Sequence, residues 1–284
     1  MDEQRDEQVD EQRDEQATMP AVASATVLVV RDGDAGLEVL LLERHLRSDF
    51  AGGAYVFPGG KVDPRDGDLA ADRHTGVDLE VAARELQVDG PDVALGLLVA
   101  AVRETFEEAG VLLAHRADGT PVSASDLASA SFREARRALA ARGEPYDWRP
   151  WLADEDLVLD LGGLAFWSWW LTPHGMHKRF DTRFFVAALP AAQADVAAHD
   201  EVETTAMRWL TPRAALDAQA AGEVTIIFPT RRNLQALEAY TVAADAVAAA
   251  AAGRTDRRPI LPTLVLDGDV PMVQHPYEDA PEAV

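Results

Sequence analysis

The segment Arg103–Val111 constrains the fold of this chain more than any other. Its glutamates at positions 104, 107 and 108 are spaced i, i+3 and i+4, which places them on one face of an α-helix with neighbouring Cβ atoms about 5–6 Å apart. Gly110 predicts a left-handed cap at the end of that helix. A buried apolar stripe is predicted for the rest of the helix, formed by Leu97, Leu98, Ala101, Phe106 and Val111. We therefore expect a packed helix that carries three carboxylates on one side.

Three like charges at this spacing destabilise a helix unless something neutralises them. Mg²⁺ and Mn²⁺ prefer carboxylate oxygens and usually keep waters that a substrate can displace. A solvated acidic surface is the alternative, because glutamate is common on exposed helices. The apolar stripe, Gly110 and the adjoining Arg103, which can hold the carboxylates in place, favour a site for a hard cation with phosphate as the third partner.

The charge balance limits the possible partners. The chain has 284 residues and a formal net charge of −23, which argues against nucleic acid as a ligand. An acidic protein can still bind an acidic small molecule if a bound cation carries the local positive charge. No apolar run is long enough to predict a membrane span. The chain has no cysteine and charged residues follow Met1 directly, so we expect a cytoplasmic protein without disulfides or thiolate metal sites.

The amino-terminal segment differs from the rest of the chain. Residues 2–17 are four copies of an Asp-Glu-Gln-x tetrad and carry eight acids, two arginines and almost nothing apolar. We expect residues 1–20 to be a disordered acidic tail. Two origins remain open for it: a functional tail, or a tract upstream of a start at Met19.

The remainder predicts one domain over 21–253, followed by an irregular, proline-rich tail over 254–284. Helical insertions are expected at about 67–99 and 115–160. Strands are expected at 25–30, 37–42, 54–57, 180–189 and 206–210, and helices at 213–220 and from Pro229 to about 252. Alternating strands and helices indicate an α/β or α+β fold.

These motifs resemble the Nudix hydrolases, whose box reads G-x5-E-x7-R-E-U-x-E-E-x-G-U, where U is apolar. Arg103, Glu104, Glu107 and Glu108 match its second half, followed by Gly110 and Val111, while Thr105 departs from the apolar position. Gly60 matches the first glycine, and Asp66 stands where the box has glutamate. Here 36 residues rather than seven separate Asp66 from Arg103. The resemblance implies an αβα sandwich with a mixed central sheet and an insertion inside the box.

The insertion resembles the acyl-CoA diphosphatase (motif 19) branch of the family. Coenzyme A-cleaving relatives carry the pattern L-L-T-x-R-[SA]-x3-R-x3-G-x3-F-P-G-G before the box. This chain keeps Leu40, Leu41, Arg44, Gly53 and 57–60, but Asp49 replaces the second arginine with an anion. The resemblance therefore implies cleavage of coenzyme A or acyl-CoA. ADP-ribose, NADH or another nucleotide derivative remains the alternative, and a non-catalytic binding module is a third.

The same resemblance implies roles for individual residues. Glu104, Glu107, Glu108 and the carbonyl of Gly60 would bind Mg²⁺ or Mn²⁺, with Arg103 orienting the carboxylates. A further loop acid is usual as ligand or general base, and Glu201 and Glu203 are candidates. Four cations are candidates for substrate phosphates, each with an ordinary surface role as the alternative: Arg44, Lys61, Arg179 and Arg183.

Two further sets of residues have alternative roles. Asp63 and Asp66 would support the Gly59-Gly60 loop or cap the helix that follows. The tryptophans would accept an acyl-pantetheine arm, stack a base, or pack the core between insertion and sheet; they are Trp148, Trp151, Trp167, Trp169 and Trp170.

Overall fold

The structure is a computed structural model that describes residues 19–44, 53–141, 143, 145–194, 204–267 and 270–283. The expected acidic tail up to residue 18 lies outside the described residues, as do Glu201 and Glu203. No helix in the described part is long and apolar enough to cross a membrane.

The described residues form eight α-helices and fifteen strands. The helices are α1 Leu79–Leu86, α2 Pro91–Ala109, α3 Ala124–Leu127, α4 Ala130–Leu139, α5 Arg149–Asp154, α6 Pro212–Ala220, α7 Phe228–Leu237 and α8 Ala243–Ala251. The strands are β1 Val22–Gly33, β2 Gly36–Arg44, β3 Ala54–Val56, β4 Gly59–Lys61, β5 His74–Thr75, β6 Ala114–Arg116, β7 Leu157–Asp160, β8 Ala165–Leu171, β9 Phe180–Ala188, β10 Thr204–Leu210, β11 Thr225–Ile226, β12 Pro259–Ile260, β13 Thr263–Asp267, β14 Val270–Gln274 and β15 Glu282–Ala283.

The main sheet is mixed and is built around β1. Its strand order is β11-β3-β2-β1-β9-β8-β12, with β10 paired to β2 and β4 paired to β1. Strands β1 and β2 form an antiparallel hairpin, whereas β1 and β9 run parallel. The run from Val27 to Val30 is fully buried because a central strand has both faces covered.

Two apolar cores lie on the two faces of this sheet. Successive side chains of a strand point to opposite faces, so Val27 and Val29 join the core that includes α2, while Leu28 and Val30 join the core that includes α7 and α8. The predicted αβα sandwich with a mixed sheet is confirmed.

The first predicted insertion is less helical than expected. Residues 64–75 form short 3-10 turns and β5, and only α1 is a regular helix before α2. Gly90 has φ of 103° and Pro91 follows it, so α2 begins there and its first half occupies residues 91–99. Two aromatic rings of the second insertion pack onto Phe106 of this helix: Trp151 stacks on it at 5.6 Å, and Phe132 meets it edge to face at 6.5 Å.

The helix predicted from Pro229 to about 252 is wrong in one respect, because α7 ends at Leu237 and α8 starts at Ala243. The turn region of the β1–β2 hairpin binds the intervening backbone. The Leu37 N–H donates to the carbonyl of Thr241 at 2.9 Å, and the Ala243 N–H donates to the Asp32 carboxylate at 2.7 Å. A continuous helix would use those backbone groups internally.

The irregular tail predicted from residue 254 is also wrong in part. Strand β12 joins the edge of the main sheet beside β8, and β13, β14 and β15 form a separate antiparallel sheet. Pro259 is compatible with β12 because it is the first residue of an edge strand. Pairing with distant strands determined this segment, and its local composition did not indicate it.

Candidate active site

A cavity of about 600 Å³ lies between α2, the Gly59-Gly60 loop, β8, β9 and the C-terminal sheet. This volume is within the range of roughly 300–1,000 Å³ that is usual for small-molecule sites. Its polar lining includes five residues that were predicted to form the site: Arg44, Lys61, Glu104, Glu107 and Glu108.

The end of α2 is fixed by two interactions. Gly110 has φ of 70° and its N–H donates to the carbonyl of Phe106, which is the expected left-handed cap. The Arg136 guanidinium donates to the carbonyls of Glu107 and Glu108 at 2.8 and 2.9 Å. Arg136 therefore satisfies carbonyls in the last turn and places a cation at the negative end of the helix dipole.

The Gly59-Gly60 loop lies directly against the carboxylates of α2. The Gly59 N–H donates to Oε2 of Glu108 at 2.9 Å. A methyl group added at Gly60 would lie 2.5 Å from the carboxyl carbon of Glu104, and one added at Gly59 would lie 2.5 Å from the carbonyl oxygen of Ala25. The two glycines are thus needed for the close approach of loop, helix and sheet.

Arg103 links the loop to the carboxylates. Its Nη1 donates to Oε1 of Glu104 at 2.8 Å and lies 3.5 Å from Oε2 of Glu107, while its Nη2 donates to the Lys61 carbonyl at 2.8 Å. Burial acts to lower the pKa of Arg103, but the negative charges of Glu104 and Asp66 outweigh it and raise the pKa above its ordinary value. The guanidinium therefore stays charged and holds two glutamates in fixed orientations.

Asp66 supports Arg103 from the other side. Its carboxylate is 3% exposed and accepts hydrogen bonds from Nε and Nη2 of Arg103, both at 3.0 Å, and from the Asp63 N–H at 2.9 Å. Burial raises the pKa of Asp66, and the contacts with Arg103 oppose that shift. Asp66 forms a capping box with Asp63 as well, so it both caps and supports the loop.

Two of the four predicted phosphate ligands do not line the cavity in the described structure. Arg183 is 3% exposed, donates to the Leu86 carbonyl at 2.9 Å and lies 3.7 Å from the ring centroid of Trp169. Arg179 donates to the carbonyls of Thr172 and Met19. Arg183 also pairs with the Asp181 carboxylate. Because both guanidiniums already have partners within the fold, we reassign them to packing.

Comparison with known proteins identifies the family. A family model described as the NUDT19 Nudix domain matches residues 78–237 of this chain, more than half its length. The chain belongs to the Nudix family.

Individual relatives agree with the Nudix assignment. The chain is 28% identical over 236 residues to the acyl-coenzyme A diphosphatase NUDT19 of Xenopus laevis, covering 70% of this chain and 59% of that protein. To the human protein of the same name the chain is 29% identical over 242 residues, and the match covers 74% of this chain and 63% of that protein. The chain thus spans about 60% of the length of these relatives.

One solved structure is similar in both sequence and fold. The Nudix hydrolase of Alicyclobacillus acidocaldarius is 29% identical, with a TM-score of 0.65, covering 81% of this chain and 97% of that one.

The departure from the Nudix box at Thr105 has a local explanation. The Thr105 side chain is fully buried, and its hydroxyl donates to the Ala101 carbonyl at 2.7 Å within the same helix. The hydroxyl is therefore tolerated at this buried, normally apolar position, because it has a hydrogen-bond partner.

The three glutamates have the donor chemistry that a hard divalent cation requires. In the described residues, however, no three His, Asp or Glu side chains converge to hold a metal ion. Arg103 contacts Glu104 and Glu107, while Glu108 accepts the hydrogen bond from Gly59. The three glutamates therefore fit such a cation in donor chemistry and line the same cavity, but their side chains do not converge on one point in the described structure.

The cavity also has an apolar lining, of which Trp170 was considered from the sequence and the C-terminal residues were not. It includes Trp170 and Phe228 and, from the C-terminal segment, Pro262, Leu264 and Val273. The proline-rich composition after residue 254 obscured this contribution.

Proposed function

We propose that this chain is a Mg²⁺- or Mn²⁺-dependent diphosphatase that hydrolyses a diphosphate linking a nucleoside to another group. The main support for this proposal is that the three box glutamates and two basic side chains, Arg44 and Lys61, line one cavity. The names of the relatives, acyl-coenzyme A diphosphatases, support it.

In the proposed reaction, the oxygen of a water molecule bonds to one phosphorus, the bond from that phosphorus to the bridging oxygen breaks, and the bridging oxygen leaves with the other phosphate. The proton lost by the water passes to the solvent. A bound divalent cation would neutralise charge on the phosphate oxygens and would lower the pKa of the attacking water. Glu104, Glu107 and Glu108 would hold that cation, and Arg103 would keep two of them in position. The work of the protein is then mainly positioning and electrostatic stabilisation.

Arg44 and Lys61 are the proposed contacts for the substrate phosphates. Both line the cavity, and Lys61 is exposed. Nε of Arg44 is buried and has no hydrogen-bond partner within the described part of the chain. A phosphate oxygen would satisfy that donor with a charge-assisted hydrogen bond.

Coenzyme A or acyl-CoA is the substrate we favour, because the chain keeps Arg44, Gly53 and the segment 57–60 of the coenzyme A signature. ADP-ribose or NADH is the second candidate, because Asp49 places an anion where the coenzyme A signature has an arginine and so weakens the match to that signature. The presence of all three box glutamates argues against a non-catalytic module.

The test is a panel of CoA, acyl-CoAs, ADP-ribose, NADH and dinucleoside polyphosphates with Mg²⁺ or Mn²⁺ and product identification. We expect release of adenosine 3′,5′-bisphosphate from CoA compounds, and a loss of about 100-fold or more in kcat for Glu107→Gln. Glu134→Gln, at an exposed position of α4, is the matched control and should retain activity. Full turnover by Glu107→Gln, or no metal-dependent hydrolysis on the panel, would overturn the proposal.

A further inference from the structure

The C-terminal segment contributes an apolar wall to the cavity that contains the box glutamates. Pro262 directly precedes β13, Leu264 is the second residue of that strand, and Val273 lies on the neighbouring strand β14. Leu264 and Val273 are direct cross-strand partners, so their side chains lie on the same face of this sheet. That shared face is the one that lines the cavity.

The wall is joined to the main domain at several points. Strand β12 pairs in parallel with β8, where Ile260 is the partner of Trp170. Arg231 and Arg232 of α7 each contact the Glu282 carboxylate in β15, at 2.9 and 2.8 Å. The wall therefore has a defined position relative to the helix that lines the cavity beside it.

The C-terminal sheet also contacts the main domain near the cavity through aromatic rings. The His275 ring lies 5.9 Å from Trp170 and 6.5 Å from Phe228, measured between ring centroids. Trp170 and Phe228 meet edge to face, with 83° between their planes. This arrangement fills an apolar wall and does not form a parallel pair of rings that would sandwich a nucleobase.

We propose that the wall formed by Pro262, Leu264 and Val273 binds the aliphatic chain of an acyl thioester whose diphosphate lies at the box glutamates. This inference rests on the proposed function and adds the part of the substrate that the C-terminal sheet recognises. Leu264 is 45% exposed and offers apolar surface that a chain would cover. Each methylene removed from water contributes about fourfold in affinity.

The experiment compares kcat/KM for octanoyl-CoA with that for CoA in the wild type and two matched variants. Leu264→Asp places a charge in the wall, and we expect the octanoyl-CoA to CoA ratio to fall about tenfold. Leu266→Asp is the control, because Leu266 lies two residues further along β13 and is 74% exposed outside the cavity lining. Its ratio should equal that of the wild type.

A second variant tests the same inference if Leu264→Asp fails to fold. Leu264→Trp adds volume to the wall, and we expect it to reduce kcat/KM for dodecanoyl-CoA more than for butanoyl-CoA. A ratio unchanged by both Leu264 variants, or lowered equally by Leu266→Asp, would overturn the inference.

A binding measurement separates this inference from the proposed reaction. S-octanoyl-pantetheine and pantetheine carry no diphosphate, and calorimetry would compare their binding to the wild type and to Leu264→Asp. If no CoA compound is hydrolysed but the octanoyl compound binds more tightly through Leu264, the reaction is wrong and the wall assignment stands. If CoA is hydrolysed and the octanoyl group adds no Leu264-dependent affinity or rate, the wall assignment is wrong.

Discussion

The substitution Asp66→Asn tests whether one buried ion pair joins the two halves of the split Nudix box. The Asp66 and Arg103 side chains are 3% and 11% exposed, and Nε and Nη2 of the arginine each donate to the carboxylate at 3.0 Å. Asparagine keeps the volume but removes the charge, and it offers an amide N–H₂ group where the guanidinium needs an acceptor.

Breaking a buried pair by removing one partner typically costs about 3–5 kcal/mol. We expect a value near the lower end, about 3 kcal/mol, because Arg103 keeps its contacts with Glu104 and Glu107. Urea-induced unfolding at pH 7 would measure the change in the free energy of unfolding.

Asp63→Asn is the matched control from the same capping box. Asp63 pairs with Arg65, whose guanidinium is at the surface, and asparagine is also a good N-cap residue. We therefore expect a much smaller loss for this variant. Equal losses for Asp66→Asn and Asp63→Asn would refute the argument that burial of the Asp66–Arg103 pair determines its contribution.

Two further predictions concern the loop and the C-terminal sheet. Gly60→Ala should lower kcat by about tenfold or more with little change in Tm, because the new methyl group would push the Glu104 carboxylate out of its position, and the three atoms nearest to that methyl group belong to this carboxylate rather than to backbone. Unchanged turnover would contradict this. Burial, with a smaller contribution from the charge of Arg232, lowers the pKa of His275 in the folded protein. As pH falls below about 6.5, His275 is therefore protonated more readily in the unfolded chain than in the folded one, and this favours unfolding. Stability should therefore decline from pH 7.5 to 5.5, and His275→Gln should decline less in urea titrations at the two pH values; identical declines would show that His275 does not contribute.

The features that could be predicted from the sequence depend on residues close together in the chain. The i, i+3, i+4 spacing of the glutamates and Gly110 specify one helix with a carboxylate face and a left-handed cap, because both depend on neighbours within two turns. The fully apolar run from Val27 to Val30 likewise predicts a central strand.

Several features depended on which distant segments meet. Arg183 looks like a phosphate ligand in sequence, but the fold buries it under Trp169 and against the Leu86 carbonyl. Arg136 carries no local motif, yet it binds the last carbonyls of α2 because the second insertion folds back onto that helix. The helix expected up to residue 252 breaks because the β1–β2 hairpin region binds its backbone.

The sequence by itself determined the chemistry that this protein carries: the box glutamates, the adjoining arginine and the glycine loop, each readable from residue type and spacing. Only the tertiary structure decided that Asp66 pairs with Arg103 across 37 positions and that a proline-rich tail becomes an apolar wall beside the glutamates. The physical reason is that helix periodicity and capping are set by residues a few positions apart. A buried ion pair and a cavity wall exist only where the fold removes distant residues from water together.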